Sequence, residues 1–146
     1  MIMIPLLLLN LIKRFEGQRL KAYQCPAGVW TIGYGHTGND VFKDLVITEQ
    51  KAKSLLKQDV LKFLTQVFKV SPSLIDAGEN RISAIGDFVF NLGIARYRGS
   101  TLRKRVDVGD WKSASDECKK WCSAGQKKLR GLVLRRKVEA DLLLKG

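Results

Sequence analysis

The chain opens on an apolar run, MIMIPLLLLNLI, that ends at Lys13, Arg14 and Glu16. About a dozen residues fall short of the roughly 20 that a membrane-spanning helix needs. No basic leading segment or small-residue cleavage site accompanies the run, so a removed signal peptide is not expected. It reads as a buried first helix over residues 5–16, with Pro5 near its start and Gly17 as its stop. A segment that touches a membrane surface is the second reading of the same residues.

From Tyr23 to Thr37 the pattern changes to aromatic and β-branched residues punctuated by Pro26, Gly28, Gly33 and Gly35, which predicts a small twisted hairpin sheet. Thr48 then caps a long helix in which Ala52, Leu55, Leu56, Val60, Phe63, Leu64 and Val67 recur at three/four spacing. The stripe breaks at Ser71-Pro72-Ser73. Helical runs follow over about 80–92, 100–107, 110–123 and 132–144, with Ser100 and Asp110 as caps. The sum is an α+β fold, mainly helical. A small N-terminal β-hairpin sheet lobe (14–47) and a helical C-terminal lobe (70–146 plus the first helix) are joined by the long helix 48–69, within one domain of 146 residues. A cleft between the lobes is the natural ligand site, beside residues 14–38.

Composition adds two constraints. A 45% hydrophobic and 27% charged content is that of a folded globular protein, and no repeat is visible. The net charge of +12 is uneven: residues 1–95 hold 11 Lys/Arg against 8 Asp/Glu, and residues 96–146 hold 15 against 6. The C-terminal third should attract polyanions, with a charged surface kept for solubility as the plainer reading. Three cysteines are an odd number, which excludes a fully paired disulfide framework in a monomer. Cys118 and Cys122, four apart in the predicted helix 110–123, read as small buried side chains on one face. No metal site or cofactor is expected.

The candidate chemistry lies in residues 14–38. Glu16 falls at a helix end among Phe15, Leu20 and Tyr23, where partial desolvation favours a neutral carboxyl able to donate a proton. A surface ion pair with Arg14 or Arg19 is the alternative. Along VWTIGYGH, strand alternation puts Val29, Thr31, Gly33 and Gly35 on one face, leaving space around the Thr31 hydroxyl for a water or a substrate. Trp30, Ile32, Tyr34 and His36 take the other face. Cys25 is ambiguous: with His36 as base it has the makings of a nucleophile, but a histidine beside aromatics also reads as a hydrogen-bonded structural residue.

The text FEGQRLKAYQCPAGVWTIGYGHTG resembles the signature region of the bacteriophage-type lysozymes (endolysins), glycoside hydrolase family 24. The family pattern is Glu, eight residues, Asp or Cys, five residues, Thr, and Glu16, Cys25 and Thr31 fit both spacings. FVFNLG (88–93), GSTL (99–102) and LRRKVEADLLL (134–144) are similar to its C-terminal lobe. The resemblance implies a phage lysozyme-like fold and a muramidase that hydrolyses the β-1,4 bond between N-acetylmuramic acid and N-acetylglucosamine in bacterial peptidoglycan, for host cell lysis. Glu16 is then the general acid, while Thr31 and Cys25 position the attacking water in an inverting reaction. Cys25 stands where many members carry aspartate, so rate should depend on thiol state. Phe90, Asn91 and, more loosely, Thr101 match positions that line the sugar cleft.

The implied partner is peptidoglycan, with anionic wall polymers or outer-membrane lipopolysaccharide as further contacts of the basic third, no nucleic acid, and a monomeric state. The implied route is storage in the host bacterial cytoplasm and action on the wall after release. A Cys/His amidase or endopeptidase and a lytic transglycosylase are the rival enzymes, separable by their products.

Overall fold

The computed structural model describes residues 2–124 and 127–146. Helix α1 (Leu6–Glu16) leads into a three-stranded antiparallel sheet of β1 (Arg19–Gln24), β2 (Trp30–Gly33) and β3 (His36–Thr37). The 22-residue α2 (Glu49–Val70) follows, then a 3-10 turn over Pro72–Asp76. Helices α3 (Glu79–Leu92), α4 (Ile94–Arg98), α5 (Thr101–Asp107) and α6 (Trp111–Lys119) come next. A short hairpin of β4 (Ser123–Ala124) and β5 (Lys127–Lys128) precedes α7 (Arg130–Lys145). This is a mainly helical α+β fold with one small sheet near its N-terminal end.

Local chemistry sets these boundaries. Thr48, Ser100 and Asp110 each accept a backbone N–H with the side chain, from Lys51, Arg103 and Ser113 at 3.1, 3.0 and 3.2 Å, so the three expected caps are made. Gly17 ends α1 at φ +71, returning its N–H to the Lys13 carbonyl. The stripe of α2 is buried at Ala52, Leu55, Leu56, Val60, Leu64 and Val67, whereas Phe63 is only half-buried and meets Phe90 edge-on at 5.4 Å.

The structure corrects three expected boundaries and adds one helix. The first strand begins at Arg19 rather than Tyr23, because Arg19 already pairs with Gly33 across an irregularity before the Tyr23–Thr31 pair. The expected helix 110–123 stops at Lys119, so Cys122 leaves the helix face it was expected to share with Cys118. Cys118 is fully buried and Cys122 half-buried, both as free thiols. Helix α4 was not foreseen. It follows Gly93, whose φ of +92 turns the chain between α3 and α4. The last helix starts two residues before the expected 132.

Helix α3 is the hub of the core. Its Ala84, Ile85, Phe88 and Val89 are inaccessible to solvent and join Leu102, Ala114, Cys118, Ala140 and Leu143 in the larger apolar cluster. A second cluster packs Leu8, Leu9 and Ile12 of α1 against Leu56, Val60 and Leu64 of α2 and Tyr34 beyond β2. The apolar start of the chain is thus spent largely on the core, although Met3 and Leu6 stay exposed. Among the described residues no helix is long and apolar enough to cross a membrane.

Gly86 is where α1 and α3 approach. A Cβ there would stand 2.7 Å from Leu8 Cδ2 and 3.3 Å from Leu64 Cδ2, both in packed side chains. Gly86→Val is therefore expected to lower stability by about 1–3 kcal/mol through overpacking, read by urea denaturation. Partial recovery in the Gly86→Val/Leu8→Ala double variant would place the clash at Leu8, and no recovery would refute that placement.

Candidate active site

Glu16 is the last residue of α1, with 24% of its side chain exposed. It pairs with neither neighbouring arginine. Arg14 lies over the Phe15 ring at 5.0 Å and Arg19 over the Tyr23 ring at 4.3 Å, where each covers an aromatic face. Instead Arg135 of α7, 119 positions away, donates from Nη1 to Glu16 Oε2 at 2.6 Å. The expected surface pair is thus corrected to a long-range one. The same guanidinium donates from Nε and Nη2 to the two oxygens of Asp87 in α3, at 2.9 and 2.8 Å. This is the planar fork-to-carboxylate match that only arginine offers.

Both partners behind Glu16 are out of solvent. Burial works against the charge on Arg135, but hydrogen bonds and the charges of Asp87 and Glu16 outweigh it and raise its pKa further. Burial likewise pushes the Asp87 pKa up, and bonds from Glu139 and Arg135 with the charges of Arg135 and Arg136 bring it below the usual carboxylate range. Arg135 is therefore a fixed cation and Asp87 a fixed anion at neutral pH.

The sheet supplies the facing wall. Gly35, at φ +82, puts its backbone against the acid: a Cβ would sit 3.1 Å from Glu16 Oε1 and 3.7 Å from Phe90 Cε1. Strand alternation does not survive this far. Gly33 at φ +67 turns the chain, and its missing Cβ faces Ala52 of α2 instead of sharing a gap with Thr31. Thr31 itself is 4% exposed, so the expected open space around its side chain is largely filled. Its hydroxyl donates to the Val29 carbonyl at 3.0 Å.

Cys25 directly follows β1, half-buried, with its own N–H donated to the Val29 carbonyl at 2.9 Å. Backbone N–H groups of Val29 and Ala27, with the Thr31 hydroxyl and Gly28, hold its thiol below the usual range against a small burial effect. Tyr23 links this corner to the acid: burial raises its pKa first and the charge of Glu16 next, with a smaller contribution from Cys25. Glu16, Gly35 and Phe90 therefore meet at one place, and Tyr23, which feels the charge of Glu16, pairs with Thr31 in the hairpin corner that Cys25 shares.

His36 stands apart from that group. Its Nδ1 lies 2.8 Å from Asp59 Oδ2 of α2 and its Nε2 3.0 Å from Asp40, so neither nitrogen is free to serve Cys25 as a base. Burial works to lower its pKa, but hydrogen bonds to Asp59 and Asp40 win and raise it. The histidine is a tie between the sheet and α2.

A sequence profile of the family described as phage lysozyme matches residues 13–139. An endolysin of Acyrthosiphon pisum secondary endosymbiont phage 1 is 44% identical over 138 residues, which cover 92% of each chain. An SAR-endolysin of Bacteriophage PS119 is 39% identical over 90% of this chain and 77% of its own length. The chain belongs to the phage lysozyme family. Among solved structures, the muramidase domain of SpmX from Asticaccaulis excentricus superposes with a TM-score of 0.88 at 33% identity, covering 99% of both chains. The protein is accordingly a lysozyme, a glycoside hydrolase of the muramidase type whose substrate is peptidoglycan.

The other residues expected at the site of this lysozyme are placed unevenly. Phe90 is half-buried at the Gly35 wall, as described. Asn91, next to it, has an Oδ1 shielded from solvent with no hydrogen-bond partner among the described residues. Thr101 is exposed at the first turn of α5, where Ser100 is the cap, and no hydrogen bond among the described residues joins it to the Glu16 group. Arg135 and Asp87 were missed in the sequence. Neither lies near Glu16 in sequence, and no local spacing announces a pairing across 119 positions.

Two outcomes follow from this geometry. Gly35→Ala should cut lytic activity at least about tenfold, because a left-handed backbone costs a β-carbon about 1–2 kcal/mol and the methyl would press on Glu16 Oε1. Turbidity loss of purified sacculi measures it. For His36, a raised folded pKa means stability that is full below its unfolded pKa of about 6.5 and lost as pH rises through the folded value. The melting temperature gap between wild type and His36→Gln should therefore be wider at pH 6 than at pH 9, by a few degrees.

Proposed function

We propose that Glu16 is the general acid for hydrolysis of the β-1,4 bond between N-acetylmuramic acid and N-acetylglucosamine, and that the reaction inverts the sugar. The observation that carries this reading is the division of labour between the two oxygens of Glu16. Oε2 is engaged by Arg135, whereas Oε1 faces the Gly35 backbone, where a Cβ would stand 3.1 Å away, and takes no hydrogen bond among the described residues. A protonated Oε1 passes its proton to the bridging oxygen as the C–O bond breaks. A water positioned by Cys25 and Thr31 forms the new bond to C1 from the other face, and its released proton passes to solvent. Thr31, which donates to Val29, keeps lone pairs to accept from the water.

In this reading the chain is one lysozyme domain that works as two lobes, 14–47 and 70–146 with α1, around the connecting stretch 48–69. Phe90, Asn91 and Thr101 line the sugar path, and the amide of Asn91 finds its missing partner in the glycan. The enzyme acts as a monomer, needs no nucleic acid, and reaches the wall from the host cytoplasm after release. The basic residues after 95 add a weak, salt-sensitive hold on anionic wall polymers or lipopolysaccharide. Helix α7 commits Ala140, Leu142 and Leu143 to the core and leaves Val133, Leu134 and Leu144 exposed beside its basic residues.

Glu16→Gln should lose about 100-fold to 10,000-fold in rate on purified sacculi. Mass analysis of wild-type fragments should show new reducing ends, with neither anhydro-sugar ends nor new amino groups. An undiminished Glu16→Gln rate would refute the assignment. Oxidation of the wild type should lower its rate reversibly, and Cys25→Ser should be indifferent to it. If Cys25→Ser matches wild type under both reducing and oxidising conditions, the role given to the thiol is wrong.

A further inference from the structure

We propose that Asp87 is a positioning residue for the reaction: through Arg135 it holds Glu16 in place while balancing much of the guanidinium charge that Glu16 meets. This rests on the reading of Glu16 as the general acid.

The problem Asp87 solves is electrostatic. A buried guanidinium 2.6 Å from a carboxylate fixes its orientation, but it also favours the charged form, which has no proton to give. Asp87 takes both the Nε and Nη2 edges of the same guanidinium, so much of the cation's charge is already balanced before Glu16 meets Nη1. Glu16 then gains a fixed geometry without a full unit of positive charge to itself.

The groups around this centre are arranged to keep Asp87 in that role. Behind it on α7, Glu139 is fully buried, and burial, then its hydrogen bond to Asp87, raise its pKa well above the carboxylate range. Its oxygens also meet Arg136, Oε1 at 2.7 Å from Nε and Oε2 at 2.8 Å from Nη2, while Arg136 lies over the Phe88 ring at 5.0 Å. Cys118 of α6 stands 3.6 Å from Glu139 Oε1, and burial keeps it a thiol. Tyr23 of β1 feels the charge of Glu16, and Arg19 lies over the Tyr23 ring. Arg135 is thus shared between Asp87 and Glu16, while Arg136 is held by Glu139.

The test is the pH dependence of kcat and KM, measured separately on a soluble peptidoglycan oligosaccharide, for wild type, Asp87→Asn and Asp87→Glu. Asp87→Asn removes the balancing charge at constant shape. Its alkaline limb should move to lower pH by about one unit. Its kcat should fall about tenfold at neutral pH, with KM within about twofold of wild type. Asp87→Glu keeps the charge but moves it by one methylene, so its kcat should fall while the alkaline limb stays. Thermal melts at each assay pH correct for the folded fraction. Should Asp87→Asn fail to fold, Asp87→Glu carries the decision, and an unchanged kcat there overturns the proposal. A wild-type limb and a wild-type kcat in folded Asp87→Asn overturn it as well. Loss of activity in Glu16→Gln alongside such a result would leave the general acid standing and remove only the role of Asp87.

Discussion

One guanidinium holds this lysozyme's acid in place. Arg135 joins α1, α3 and α7 through Glu16 and Asp87, and it does so where almost no solvent reaches it. Such a group is costly to bury and more costly to leave half-paired, so each helix end that feeds it must arrive in register. The apolar core alone does not demand this. Leu8, Ile85, Phe88 and Leu143 would tolerate small slides of one helix on another, whereas a forked pair at 2.8 and 2.9 Å would not. The Glu16 carboxyl inherits its position from that requirement.

The sheet contributes in a different way. Its three strands are short, and two glycines with positive φ, Gly33 and Gly35, steer the chain so that backbone instead of side chain faces the acid. His36 then fastens the third strand to α2 through Asp59. A flexible lobe would let the wall drift from the acid; the histidine tie and the Ile32, Val41 and Leu55 packing oppose that drift. Helical charge and sheet backbone thus fix opposite sides of one small space.

Much of this was legible in sequence where the cause is local. Caps at Thr48, Ser100 and Asp110, the stripe of α2 and the Glu16, Cys25 and Thr31 spacing depend on neighbours a few positions apart. What stayed hidden depends on tertiary contact. Arg14 and Arg19 were the obvious partners for Glu16, yet aromatic faces claim both, and the true partner comes from the last helix. Alternation misled beyond Gly33 because a positive φ resets which way the chain faces. Cys122 left its expected helix because that helix ends at Lys119 and gives way to a two-residue strand, a change that no apolar period signals.

The central claim is that Arg135 and Asp87 act as one buried unit, and a double-mutant cycle in folding stability tests it most directly. Arg135→Met and Asp87→Leu should each cost about 3–5 kcal/mol, because each leaves a charge without its partner. The double variant should be less destabilised than the sum of the singles by at least about 2 kcal/mol. Additive costs would mean that the two residues stabilise the fold separately, and the account of how Glu16 is held would be wrong.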